Sequence, residues 1–135
     1  MKIKFTVFGK PVGKGRPRFY RRGVRVGTYT PAKTRAYERA LSYSSLKFAP
    51  EQPISCSLAV ALKFFLPAPA KLKNKKAELE IMPVPNKPDI DNLIKSALDP
   101  LNGVFWTDDK LIASITATKF YSDNPRTEFE IQTYG

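Results

Sequence analysis

The chain has 135 residues, 42% hydrophobic and 12% aromatic, which suits one globular domain with a single core and excludes a disordered polymer. Its formal charge is +11; residues 1–37 hold eleven Lys/Arg and no acid, while the other 98 balance twelve cations against twelve acids. So localised an excess points to an anionic partner. With no His and only Cys56, zinc fingers, His-based triads, Cys–His nucleophiles and an intrachain disulfide are excluded.

Ile3, Phe5 and Val7 alternate with Lys4 and Thr6, the period of a half-buried strand. Charges at positions 2, 4 and 10 leave no signal-peptide core, and the longest apolar stretch, Leu58–Leu66, is too short for a bilayer. The expectation is a cytoplasmic protein without a membrane partner. Gly and Pro recur every second or third residue over 9–18, which reads as a loop, and the basic loop region extends to residue 28. Val24–Tyr29 predicts a short strand. Thr30 as N-cap and Pro31 at the first helical position predict a helix to about Lys47.

Ile54 to Phe64 alternates strictly and predicts a strand that stops at Pro67. Residues 69–80, rich in Lys and Ala, read as a short exposed helix, with Lys71, Lys73, Lys75 and Lys76 as a solvated face. Met82–Pro88, with its three prolines, is extended. From Asp89, residues Ile90, Leu93, Ile94, Ala97, Leu98 and Leu101 keep the spacing of a buried helical stripe. Pro100 and Asn102-Gly103 end it. Leu111–Phe120 and Thr127–Thr133 read as a closing hairpin around 122–125. The fold class is α+β: a small mixed sheet of about four or five strands with two main helices, one domain over 1–135.

Five of the twelve acids, Asp89, Asp91, Asp99, Asp108 and Asp109, fall within 21 positions of this otherwise basic chain. Asp89 sits at a helix entrance, where the dipole favours an anion, and Asp91, Lys95 and Asp99 share the face opposite the apolar stripe. Asp108 and Asp109 can fold back beside them. Carboxylates so close raise one another's pKa unless a cation intervenes, and octahedral Mg²⁺ or Mn²⁺ accepts such oxygen donors together with a phosphate. Lys95 would place its charge near the negative charge that develops on phosphate. Taken singly, Asp89 could be a plain cap, Asp91/Lys95 a surface pair and Asp108/Asp109 a turn.

The basic arm supplies Lys10, Lys14, Arg16, Arg18, Arg21, Arg22 and Arg25, with Lys33 and Arg35 at the first helix, for phosphate neutralisation. Phe19 and Tyr20 either stack on an exposed base or anchor the loop to the core, and anchoring is the commoner use of such rings. Trp106 is expected to be core packing that positions the Asp108/Asp109 turn.

Two stretches resemble the RusA family of Holliday junction endonucleases. One is KGRPRF at Lys14–Phe19 with YTPAKTRAYE at Tyr29–Glu38; the other is KPDIDNLIKSALDPLNGVFWTDDKLI at Lys87–Ile112. The resemblance implies a catalytic set of Asp89, Asp91, Lys95 and Asp109. The metal ligands would be Asp89, Asp91 and Asp109, with Asp108 kept as a possible third ligand, and the ion Mg²⁺ or in its place Mn²⁺. It further implies a homodimer that nicks two opposing strands of a four-way DNA junction symmetrically, in recombination and repair. Pro100 departs from the family pattern and bears on helix length. The rival readings are a non-catalytic nucleic-acid-binding protein and a nuclease acting on flaps, forks or other branched DNA.

Overall fold

Alternation over Lys2–Phe8 turns Phe5 and Val7 inward and forms strand β1; in the computed structural model, which describes residues 1–134, it is one edge of a four-stranded sheet. After the Gly/Pro loop come β2 (Arg18–Arg22) and β3 (Arg25–Tyr29), an antiparallel hairpin that makes its own two-stranded sheet. Gly23, with φ +60, supplies the turn. Helix α1 covers Ala32–Ser45 and passes into a 3₁₀ turn, Leu46–Phe48. Its N-cap is Pro31, whose carbonyl accepts from Arg35 N–H at 3.1 Å, so Thr30 is not the expected cap.

Strand β4 spans Leu58–Pro67, later than the start at Ile54 that alternation predicts. Ile54 instead bridges Trp106: its N–H donates to Phe105 and its carbonyl accepts from Thr107. Residues 70–81 form a 3₁₀ helix, kinked at Lys75, whose Leu79 is buried and whose four lysines are exposed. Helix α2 is Ile90–Leu98, and the expected ending follows: a 3₁₀ turn takes Asp99–Leu101 through Pro100, and Gly103 at φ +81 turns the chain out.

Strands β5 (Ile112–Ser122) and β6 (Arg126–Thr133) are both present, but they do not pair with each other. The sheet order is β1-β6-β4-β5; β4 lies between them, parallel to β5 and antiparallel to β6. The expected hairpin is therefore a crossover. β4 stops at Pro67, opposite Ser122, and the chain passes that end to return as β6, with Phe65 opposite Arg126. The guanidinium of Arg126 locks the corner: it lies 4.0 Å from the Phe65 ring centroid and donates to Glu80 and to the Asn124 carbonyl.

The core lies between one sheet face and the helices. Leu58, Val60, Leu62 and Phe64 of β4 meet Leu41 of α1 and Leu93, Ala97 and Leu98 of α2, with Leu101, Phe105 and Trp106 closing one end. Phe5 stacks on Phe129, Phe48 and Phe105 at 4.6–5.3 Å. Full burial of one such side chain contributes about 1.5–3 kcal/mol, so the inner face of α2 fixes where its outer, acidic face lies. Among the described residues no helix is long and apolar enough to cross a membrane.

Candidate active site and nucleic-acid groove

The basic loop is strapped along α2. Lys14 N–H donates to the Asn92 carbonyl at 2.9 Å, and the Ser96 hydroxyl donates to the Val12 carbonyl. The approach is close enough that a Cβ at Gly13 would lie 3.0 Å from Cβ of Pro88 and 3.4 Å from that of Asn92. Glycine is what lets the cations of this loop reach the start of α2.

At that start, Asp89 occupies the N-cap position with extended backbone and its carbonyl accepts from Leu93 N–H, yet its carboxylate makes no capping bond. A cap is therefore not what this acid does. Asp91 and Lys95 are both exposed on the outer face and do not pair with each other among the described residues. Asp99, one turn further on, is committed: Lys14 Nζ donates to it at 2.6 Å and to Glu38 at 3.3 Å. Partial burial opposes the Lys14 charge, but hydrogen bonds and attraction from Asp99 and Glu38 outweigh it and hold the ammonium above the usual lysine range. Lys14, named with the phosphate-binding cations, thus serves to tie loop, α1 and α2 together.

Trp106 is fully buried, as expected, and its indole N–H donates to Oδ1 of Asp109 at 2.7 Å, which orients that acid. Oδ1 of Asp108 accepts from Lys110 N–H at 2.9 Å and caps the 3₁₀ turn Asp109–Leu111. That turn precedes the first residue of β5. The Asp89 entrance is held toward the other end of the same strand, where Lys119 Nζ donates to the Asn86 and Pro88 carbonyls at 2.7 and 2.8 Å. Among the described residues no three His, Cys, Asp or Glu side chains come together as a metal site. Asp89, Asp91 and Asp109 therefore do not form a ready-made three-ligand cluster among the described residues. Asp89 and Asp91 fit a hard divalent cation as donors: they are oxygen ligands, exposed and in no ion pair among the described residues.

Beside Asp89 lies a groove of about 680 Å³ with Lys10, Arg16, Arg18, Lys33 and Lys87 in its walls and no acid. Lys87 is a groove cation that reading the sequence did not single out; its place directly before Pro88-Asp89 was the available signal. None of these five forms an ion pair among the described residues. Arg21, Arg22 and Arg25 belong to the hairpin, which is exposed on both faces, and Arg35 is exposed on α1. Phe19 is 80% and Tyr20 42% exposed, so these rings are not the core anchors expected.

The model of the family described as Endodeoxyribonuclease RusA matches residues 9–132. This chain belongs to the RusA family. The "Uncharacterized protein YqaN" of Bacillus subtilis (strain 168) is similar to it, 35% identical over 135 residues that cover 96% of this chain and 95% of the relative. RusA membership implies a Holliday-junction nuclease of a generally metal-dependent kind. The match takes in the basic loop, α2 and the Trp106–Asp109 turn together, the parts that carry groove cations and the candidate acids.

Proposed function

We propose that this RusA-family chain is a Mg²⁺-dependent endonuclease that resolves Holliday junctions by paired, symmetric nicks, acting as a homodimer. The observation that carries the reading is the acid-free cationic groove whose wall includes Lys87 and Pro88, directly before Asp89, with the exposed carboxylates of Asp89 and Asp91 at the start of α2. A duplex arm placed there has its phosphates neutralised by Lys10, Arg16, Arg18, Lys33 and Lys87, and one phosphate delivered to the mouth of α2. In a chain of charge +11, acids beside a polyanion path are repulsive unless a cation lies between.

Asp89 and Asp91 are the proposed ligands of the ion on α2, with Asp109 as the third and Asp108, turned to Lys110, the lesser choice. A bound Mg²⁺ or Mn²⁺ supplies Lewis acidity and a water of lowered pKa. Lys95, four residues after Asp91 and in no ion pair among the described residues, sets an ammonium beside the same phosphate, where it favours the charge that builds as the P–O bond breaks. Trp106 holds Asp109 in one rotamer. Two-fold symmetry of the junction calls for two equal sites, which a homodimer provides.

Asp91→Asn tests the assignment, since it keeps shape but removes a charged donor. Junction binding in EDTA should persist, while cleavage with Mg²⁺ falls by roughly three orders of magnitude. Wild-type-like cleavage by this variant would refute the site. Comparing wild-type rates on four-way junctions, flaps and linear duplex decides between junction resolution and action on other branched DNA. Binding without any Mg²⁺-dependent product would leave a binding protein.

A further inference from the structure

β5 is the free edge of the sheet opposite β1, and it is free over only part of its length. Its last residues are covered by the extended segment before α2: Tyr121 N–H donates to the Met82 carbonyl, Val84 N–H to that of Lys119, and Pro83 bridges Phe120. From Ile112 to Thr118 no strand lies on the outer side among the described residues.

That open stretch reads Ile-Ala-Ser-Ile-Thr-Ala-Thr, with no charge and no proline, in a chain that is 26% charged. Open edges that remain solitary are blunted by lysine, proline or bulges, because unpaired backbone groups recruit another strand. β1 shows the blunted kind of edge, with Lys2 and Lys4 along it and Lys2 paired to Glu130 at 2.7 Å. The β5 stretch has no lysine and no proline, its one irregularity is a bulge at Ala113 near its start, and Ala113, Ile115 and Thr116 are exposed, Ile115 by 45%. The excess charge, all of it in residues 1–37, disfavours self-association through the basic arm and β1, whereas the uncharged β5 edge carries no such repulsion and is where two copies can meet.

We propose that residues 112–118 of β5 are the self-pairing surface of the homodimer, joining their equivalents antiparallel about Ile115. This inference rests on the homodimeric reading above and names its surface. Centred there, Ser114, Ile115 and Thr116 pair regularly beyond the bulge at Ala113, and two four-stranded sheets become one. The register has a consequence for the site. The turn that carries Asp109 precedes Ile112, so it is brought up against the far part of the other copy's β5, where Lys119 holds Pro88 next to Asp89. Asp109 of one copy is thereby brought toward the Asp89 entrance of the other.

The test uses the full chain with Cys56→Ser, which removes the one native thiol. Ile115→Cys in that background should form an interchain disulfide on mild oxidation, because residues facing each other across an antiparallel pair are about 4.5–5.5 Å apart at Cα, within disulfide reach. Ile115→Lys sets two ammonium groups at the symmetry axis and should convert the dimer to a monomer by sedimentation, with circular dichroism confirming the fold. Lys2→Cys on β1 should not crosslink. A wild-type dimer in which Ile115→Cys stays unlinked and Ile115→Lys stays dimeric overturns this surface and leaves the nuclease reading intact. A monomer that resolves junctions at full rate overturns it as well. Absence of Mg²⁺-dependent junction cleavage by the wild type defeats the function instead, whatever the crosslink shows.

Discussion

The indole N–H of Trp106 donates to Oδ1 of Asp109 at 2.7 Å, and this one bond links a fully buried aromatic of the core to an acid of the proposed site. Trp106→Phe keeps a ring in the core but removes the donor and part of the volume. The fold should lose about 1–3 kcal/mol, and Asp109 should lose its fixed rotamer. Junction affinity in EDTA should match wild type while Mg²⁺-dependent cleavage falls by about tenfold, the size of effect seen when the support of a metal ligand is removed. Cleavage at the wild-type rate by a folded Trp106→Phe protein would show that this orientation is immaterial.

Two cations of the same loop should respond in opposite ways. Lys14 is engaged by Asp99 and Glu38, whereas Arg16 faces the groove without an acidic partner. Lys14→Ala leaves both acids unpaired and should lower the melting temperature with little change in the salt dependence of DNA binding. Arg16→Ala should leave the melting temperature alone and flatten the slope of log K against log salt by about 0.9, the yield of one phosphate contact. Thermal melts and a salt series of junction titrations on both variants decide the matter.

The contrast shows what the sequence can and cannot convey. β1, α2 and the ending of α2 at Pro100 were legible because each is set by local terms: alternation, an apolar stripe, a missing amide hydrogen. β2 was not, since Arg18–Arg22 is exposed on both faces and a strand without a buried side leaves no alternation to read. The β5/β6 hairpin failed for a different reason. Alternation says that a strand has a buried face, not which strand lies beside it, and β4 intervenes between the two. At the site, the acids of α2 and their exposure follow from helix periodicity. The Lys14–Asp99 pair spans 85 residues, and nothing local distinguishes Lys14 from its basic neighbours.

Lys119 is the fixture that sets the entrance of α2 against β5, through the carbonyls of Asn86 and Pro88. Lys119→Met keeps the aliphatic stem and leaves both carbonyls without that donor. The Mg²⁺ concentration for half-maximal cleavage should rise by about tenfold while the rate at saturating Mg²⁺ changes less, as expected where a positioning residue acts through the ligand rather than on the substrate. An unchanged Mg²⁺ requirement would show that the Pro88–Asp89 segment keeps its place without this contact.

The crossover between β5 and β6 should make the fold acid-sensitive. Arg126 hydrogen-bonds both oxygens of Glu80, Ser122 adds a third bond, and together they hold the Glu80 carboxyl below its usual pKa of 4.5 despite the opposing effect of burial. A carboxylate whose folded pKa is depressed contributes its full stability above the unfolded value and loses it as pH falls through the folded one. With Glu80 half exposed, solvent screening limits this contribution to about 1 kcal/mol. Glu80→Gln should therefore melt at a lower temperature than wild type at pH 7, and the gap should close as pH falls below 4.5 and through the lowered folded pKa of Glu80, where the wild-type carboxylate takes up its proton. Parallel melts at pH 7, 5 and 3 measure the gap directly; one of constant size across that range would show that the corner is held by the Arg126–Phe65 contact and the Asn124 carbonyl without help from the ion pair.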